Sequence, residues 1–131
     1  MDDTALSALL DACRQLISTR FLDDDHHGAA AMLLHDGTIL TGTAPTSMNP
    51  SVEVCHGLEP YCAAFRLGRG VLASACLHRE PGGRMLVLSP CGVWRERLAV
   101  HGPDVLVAAA DQRDPRCRSG SRCGSCCRTT G

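Results

Sequence analysis

Residues 90–96 have the sequence PCGVWRE and stand at a predicted change from strand to helix. The apolar run at residues 85–88 is typical of a short strand, and residues 93–100 suit a helix that Gly102 and Pro103 would stop. The cysteine at this junction falls at the start of a helix, where free amide groups and the helix dipole stabilise a thiolate. The stretch therefore joins a structural turn to a candidate metal ligand, Cys91.

A second segment of the same kind lies upstream, where Cys55, His56 and Gly57 begin a predicted helix over residues 55–67. Pro60 falls in the first turn of that helix, where proline is least harmful. Residues 44–51 are rich in Pro, Thr, Ser and Asn and predict a loop, and the apolar residues 71–77 predict a strand. Both cysteines are thus expected at the entry to a helix.

The rest of the pattern surrounds these two segments with regular structure. Apolar residues at steps of three and four over residues 4–21 predict a first helix with one buried face. The turn at residues 35–37 (HDG) between two apolar runs predicts a β-hairpin, and residues 105–109 predict a last buried strand. Helices alternating with strands after a hairpin indicate an α/β fold with helices packed on a layered sheet. We expect one domain, residues 1–111, followed by a tail, residues 112–131.

The charged residues are nearly balanced, with 13 Lys and Arg against 14 Asp and Glu. A surface that binds nucleic acid is strongly basic, so this balance argues against a nucleic-acid partner. No apolar run approaches the roughly 20 residues of a membrane span, and the acidic start MDD is unlike the basic start of a signal peptide. We therefore expect a cytoplasmic protein with no membrane partner.

The two cysteine segments, in this order of elements, resemble the zinc motifs of the cytidine deaminase family, which includes the small bacterial cytidine deaminases and their blasticidin S deaminase relatives. The resemblance extends over about residues 6–111. Cys55 matches the first zinc ligand of the family and Cys91 the second. The residues around the second motif also match the family: Pro90, Gly92, Arg95 and Glu96. Thr41 to Thr43 resemble the strand end before the family's nucleoside-binding loop.

The resemblance implies a three-layer α-β-α sandwich with a mixed sheet, and a zinc-dependent hydrolytic deaminase of cytosine nucleosides or related compounds. In such enzymes one Cys or His and two further Cys hold zinc (Zn), which activates a water, while a Glu that is not a ligand moves the protons. The resemblance also implies a small cytosine-type ligand and a homo-oligomer, commonly a tetramer, in which neighbouring subunits complete each active site.

This sequence departs from the family at the residues that the chemistry needs. Gly57 stands at the position of the general acid/base Glu, and Trp94 stands at the position of the third zinc-binding Cys. An indole cannot ligate zinc, so Cys55 and Cys91 are the metal ligands that remain. We therefore predict weak or absent zinc binding and impaired or absent activity.

Three neighbouring features bear on that prediction. His56 could turn inward as a substitute ligand, although a surface or core histidine is the competing interpretation. Glu59 is a poor replacement acid because two residues along a helix turn it by about 200° from Gly57. Residues 44–46 (APT) stand where the family has the Asn-x-Glu pair that grips the ribose, so sugar binding is not supported.

The remaining cysteines divide into two groups. Three of them fall at apolar positions and are interpreted as core residues: Cys13, Cys62 and Cys76. Four crowd the tail, where almost no large aliphatic residue occurs and disorder is expected: Cys117, Cys123, Cys126 and Cys127. An alternative is that a frameshift begins near residues 114–117, because codons for RCGSCCRTTG can give LRELLPDYW one base along. Residues 23–28 (DDDHHG) are interpreted as a polar turn.

Two hypotheses about function follow. The first is a zinc deaminase, impaired or inactive as written because of Gly57 and Trp94. The second is a non-catalytic protein that keeps the deaminase fold for binding or assembly. A third possibility is a small-molecule binder that uses the vacated pocket.

Overall fold

A computed structural model describes residues 3–22, 26–110 and 118–122 of the chain. The helices and strands occur in the following order: α1 (Asp3–Arg20), β1 (His27–Leu34), β2 (Ile39–Gly42), α2 (Leu58–Leu67), β3 (Val71–Arg79), β4 (Met85–Val87), α3 (Gly92–Ala99), β5 (Leu106–Ala110) and β6 (Arg118–Arg122). A short 3-10 turn, Pro50–Val52, interrupts the loop before α2.

Local chemistry explains the turns between these elements. In the β1–β2 hairpin the Asp36 carboxylate accepts a hydrogen bond from the Thr38 amide at 3.0 Å, and Gly37 takes a φ of 88° that favours glycine. Gly68 ends α2 in the left-handed conformation, and its amide bonds back to the last turn of the helix. The predicted hairpin is therefore present for the expected reason, and α2 ends at residue 67 as predicted.

The strands form one sheet in the order β2-β1-β3-β5-β6, with β4 beside β3. The pair β3–β5 is parallel, and the other pairs are antiparallel, so the sheet is mixed as predicted. Strand β3 pairs with β5 at Ala73 and Ser74 and with β4 from Leu77 onward. The neighbour of β3 therefore changes close to Cys76, and the chain leaving β4 diverges from the sheet there.

Helices cover both faces of the sheet, which confirms the three-layer α-β-α prediction. Helix α1 packs on one face, where its apolar stripe meets small residues of β1 and β3: Leu6, Leu9, Cys13 and Ile17 against Ala29, Ala31, Ala73 and Ala75. Helices α2 and α3 pack on the other face through a second cluster: Ala64, Trp94 and Leu98 with Met32, Leu34, Val71 and Val107. The alanine-rich strands let α1 approach the sheet closely.

Three details differ from the sequence-based expectations. Cys62, which we interpreted as a core residue, lies on the exposed side of α2. Helix α2 begins at Leu58, so Cys55 and His56 precede the helix and Gly57 is its N-cap. Residues Arg118–Arg122, which we expected to be disordered as part of the tail, form strand β6 against β5. Composition alone missed this strand because pairing with an open sheet edge uses backbone groups and needs no large apolar side chains. The other residues of 111–131, with the frameshift hypothesis and the four tail cysteines, lie outside the described residues. Of the predicted polar turn at 23–28, residues 23–25 lie outside them too, and His27 and Gly28 begin β1.

Within residues 3–22, 26–110 and 118–122, no helix has both the length and the apolar character needed to cross a bilayer.

Candidate active site

Both cysteine segments line one pocket, between the starts of α2 and α3 and the sheet face below them. The pocket has a volume of about 190 Å³, and ten residues line it: Ala30, Cys55, His56, Gly57, Cys76, Leu88, Ser89, Pro90, Cys91 and Trp94. It lies where β3 changes its neighbour, and the Leu88 amide donates to the Cys76 carbonyl at 2.9 Å at that point. A crevice where neighbouring strands diverge is a usual place for a binding site in α/β folds.

Cys91 is the N-cap residue of α3. Its backbone is extended, with a ψ of 173°, and its carbonyl accepts the first helical hydrogen bond, from the Arg95 amide at 2.9 Å. The Arg95 Nε also donates to the Pro90 carbonyl at 3.1 Å, which ties the turn to the helix. The thiol of Cys91 is exposed at the pocket.

Cys55 stands just before α2. Its carbonyl accepts from the Leu58 amide at 3.1 Å, and its exposed thiol accepts a hydrogen bond from Arg97 Nη1 at 3.3 Å. Arg97 belongs to α3, so this contact links the two segments across the pocket. Sequence reasoning missed Arg97, because its contact with Cys55 depends on how the two helices meet.

Gly57 and Trp94, the two departures from the family pattern, touch each other. A Cβ atom built on Gly57 would lie 2.6 Å from Cζ2 and 2.7 Å from Cη2 of the Trp94 indole, closer than such atoms approach. Trp94 is 8% exposed and packs edge-on against Tyr61, with the ring centroids 5.6 Å apart. The indole therefore occupies the space that a side chain at position 57 would need.

His56 faces away from the two thiols, toward β1 and the loop after β2. Its Nδ1 accepts a hydrogen bond from the Ala44 amide at 3.1 Å, and its Nε2 lies 2.7 Å from where a Cβ on Gly28 would be. Burial, reinforced by His27 and His78, lowers the pKa of His56 from 6.5 to about 4. The structure therefore places His56 as a neutral hydrogen-bond acceptor rather than beside Cys55 and Cys91 as a third ligand.

This lowered pKa predicts a pH dependence of stability. Between about pH 6.5 and pH 4 the unfolded chain protonates His56 and the folded chain does not, so stability falls as the pH falls through that range. After allowance for the partial exposure of the ring, we expect a loss of about 1–2 kcal/mol from this group. Urea unfolding at neutral and mildly acidic pH should show that His56→Asn loses less unfolding free energy on acidification than the parent does. The asparagine oxygen can replace Nδ1 as the hydrogen-bond acceptor without titrating. Equal losses in the two proteins would contradict the assignment.

Cys76 is a pocket residue that sequence reasoning treated as part of the core. Burial raises the pKa of its thiol to about 12, and the nearby Cys55 and Cys91 add to that shift. The thiol therefore stays neutral. The alternation along β3, which sends Ala75 and Leu77 to the α1 face, could have placed Cys76 on the opposite face with the two motifs.

The donor set does not fit the zinc ion that the family resemblance implies. A catalytic zinc site needs three protein ligands, and the resemblance assigns the third to the position of Trp94, whose indole cannot bind zinc. Among the described residues, no three His, Cys, Asp or Glu side chains are placed to hold a metal ion together. Cys55 and Cys91 share a pocket, but neither His56 nor Cys76 completes the set.

The residues at the family's ribose-gripping positions line a separate cavity of about 250 Å³. Ala44, Pro45 and Thr46 share it with four histidines and an acidic residue: His26, His27, His56, His78 and Glu53. Ala44 is buried, and none of residues 44–46 is Asn or Glu. The carboxylate of the cavity is that of Glu53, whose Oε1 accepts a hydrogen bond from the Ser47 amide at 3.2 Å. Glu59 is exposed in the first turn of α2 and does not line either cavity.

No family model matches the sequence. The sequence is 34% identical over 79 residues to the cytidine deaminases of two Mycobacterium tuberculosis strains, CDC 1551 / Oshkosh and ATCC 25618 / H37Rv. This match covers 60% of the chain and 56% of each relative, so the chain spans little more than half the length of these curated relatives.

Two solved structures have the same architecture. The crystal structure of the cytidine deaminase from Mycobacterium leprae matches with a TM-score of 0.71 at 18% identity over 92% of this chain and 95% of that chain, a likeness of fold. The crystal structure of the cytidine deaminase from Bacillus anthracis matches with a TM-score of 0.77 at 37% identity, over 87% of this chain and 81% of that one. Identity of this level over four fifths of a known cytidine deaminase, on the same fold, makes this chain a member of the cytidine deaminase family.

Proposed function

We propose that this chain keeps the cytidine deaminase fold but does not catalyse the zinc-dependent hydrolytic deamination of cytosine nucleosides. The contact between Gly57 and Trp94 carries the proposal. The position of the general acid/base has no side chain, and an indole fills the space beside it. Loss of a general acid/base alone costs on the order of 10² to 10⁴ in rate.

The surroundings of Gly57 support the same conclusion. None of the ten residues that line the pocket is Asp or Glu, so no carboxylate stands ready to move a proton there. The nitrogen of His56 that could accept a proton already accepts the Ala44 amide. We propose in addition that zinc is bound weakly or not at all, because only Cys55 and Cys91 remain of the three ligands.

A second candidate function is that of a non-catalytic binding protein. The pocket of about 190 Å³ beside Trp94 supports it, since the packing of the indole against Gly57 leaves this space open. A cytosine-type small molecule is one possible ligand of such a protein, in keeping with the family.

We further propose a cytoplasmic homo-oligomer. The five cysteines within the described residues are all free thiols, as expected in a reducing compartment. Large apolar side chains are exposed on the layer formed by α2 and α3, notably Phe65 at 85%, Val93 at 60% and Val100 at 76%. Such side chains support self-association of the chain through this layer.

Ammonia release tests the proposed loss of activity. The full chain, purified with added zinc, is expected to release no ammonia above background from cytidine, deoxycytidine, cytosine or blasticidin S. The cytidine deaminase from Bacillus anthracis, assayed alongside on cytidine, provides the positive control. Robust deamination by the unmodified chain would overturn the proposal and the assignment of Gly57 to the position of the catalytic Glu.

A further inference from the structure

The pocket beside Trp94 has the chemistry of a site for an uncharged ligand. None of its ten lining residues is Asp, Glu, Lys or Arg. Alanine, leucine, proline and tryptophan side chains form much of the wall. Arg97 reaches the pocket at Cys55, but its Nη1 already donates to that thiol at 3.3 Å. A charged ligand would therefore lose its hydration here without gaining an ionic partner among the lining residues.

The size of the pocket suits a ligand of about one ring. A volume of about 190 Å³ lies slightly above that of apolar cavities of about 150 Å³ that hold benzene, and below the roughly 300 Å³ at which pockets for larger ligands begin. A nucleoside adds a ribose to its base, and none of residues 44–46 is an Asn or Glu that could bind sugar hydroxyls. The nearby Glu53 carboxylate already accepts the Ser47 amide at 3.2 Å. A ring without a sugar is therefore the better match.

Trp94 supplies a rigid aromatic surface to this pocket. Gly57 on one side and Tyr61 on another hold the indole in place, and the residue is otherwise buried. Aromatic rings pack against each other in offset or edge-to-face arrangements that add to the gain from apolar burial. An aromatic ligand thus gains more from this wall than an aliphatic one of equal size.

We propose that this pocket binds a small, uncharged aromatic ring that carries no sugar, in contact with Trp94. The inference rests on the proposed function, because it takes the pocket to be free of zinc. It goes further in naming the ligand class and in excluding intact nucleosides.

The tryptophan itself provides the readout, since Trp94 is the single tryptophan of the chain. Titration of the full protein with toluene is expected to change the Trp94 emission saturably and to raise the melting temperature. Benzoate, a ring of similar size with a charge, is expected to bind at least tenfold more weakly. Cytidine is expected to give no saturable change over the same concentration range.

Larger side chains at Ala30, on the sheet side of the pocket, test where toluene binds and leave the fluorophore Trp94 unchanged. Ala30→Leu should weaken toluene binding at least tenfold, and the smaller change Ala30→Val, which suits a strand, should weaken it less but measurably. Ala109→Val adds the same two methyl groups on β5 at a residue that does not line the pocket, and should leave binding unchanged.

The results separate this inference from the proposed function. Absence of saturable toluene binding to the folded protein, binding that Ala30→Val and Ala30→Leu leave intact, or equally tight binding of cytidine would each overturn the inference. Zinc content and ammonia release are measured on the same preparation. If the protein neither binds toluene nor deaminates, only the proposed ligand class is contradicted. If the same preparation deaminates a cytosine compound, the proposed function is contradicted as well.

Discussion

Replacing Gly57 by Glu in the otherwise unchanged chain is expected to lower the free energy of unfolding by about 3 kcal/mol. The new Cβ would overlap the Trp94 indole, with 2.6 Å to Cζ2. The carboxylate would enter a pocket whose wall has no Lys or Arg and whose histidine, His56, is neutral because burial lowers its pKa to about 4. The backbone of Gly57 has a φ of −74°, so the cost comes from packing and desolvation and not from the main chain. Urea unfolding measures the difference.

Gly92→Glu is the matched control for this change. Gly92 begins α3, is exposed, and has no atom within 4 Å of a Cβ built on it. A glutamate there also faces the positive end of the helix dipole, so we expect little or no loss of stability. If Gly57→Glu proved as stable as Gly92→Glu, the packing of Trp94 against Gly57 would be wrong.

Only the double change Gly57→Glu with Trp94→Cys is expected to restore deamination. Trp94→Cys alone supplies a third thiolate but leaves no general acid/base, and it opens a cavity in the helix layer. Gly57→Glu alone meets the indole. In the double variant the smaller residue at position 94 makes room for the carboxylate, so activity should rise by at least 10² over either single variant.

The measurement is ammonia release from cytosine, cytidine, deoxycytidine and blasticidin S by the parent, both single variants and the double variant. A stability cycle on the same four proteins should show a coupling of about 1–3 kcal/mol, because residues in contact do not contribute additively. Activity of a single variant equal to that of the double would contradict the account. So would a folded double variant that binds zinc and releases no ammonia from any of the four substrates.

The sequence predicted the layered fold because that information is local. The helical spacing in α1, the HDG turn before β2 and the Gly-Pro pair after α3 each determine their own element. The position of Cys91 at the start of α3 followed in the same way. The strand β6 was missed because its residues have no apolar pattern, and it depends on the free edge of β5.

The site was predictable only in part, because its decisive contact is tertiary. From the sequence, Gly57 and Trp94 are two separate departures from a motif, and Gly57→Glu would merely add a carboxylate to the pocket. In the structure the two residues are in contact, and a change at one alters what the other can accommodate. The direction of the His56 ring and the place of Cys76 on the pocket wall likewise depend on how the strands and loops meet.

The zinc content of the purified full chain tests the central claim most directly. The claim is that Gly57 and Trp94 have replaced a catalytic metal site with a packed aromatic side chain. The protein is expressed with added zinc, dialysed against a chelator and then subjected to elemental analysis. The four tail cysteines are changed to serine in these chains, so that zinc held by the tail is excluded. We predict clearly less than one zinc per chain. One zinc per chain that resists the chelator, and is lost in Cys55→Ser or Cys91→Ser, would contradict the account.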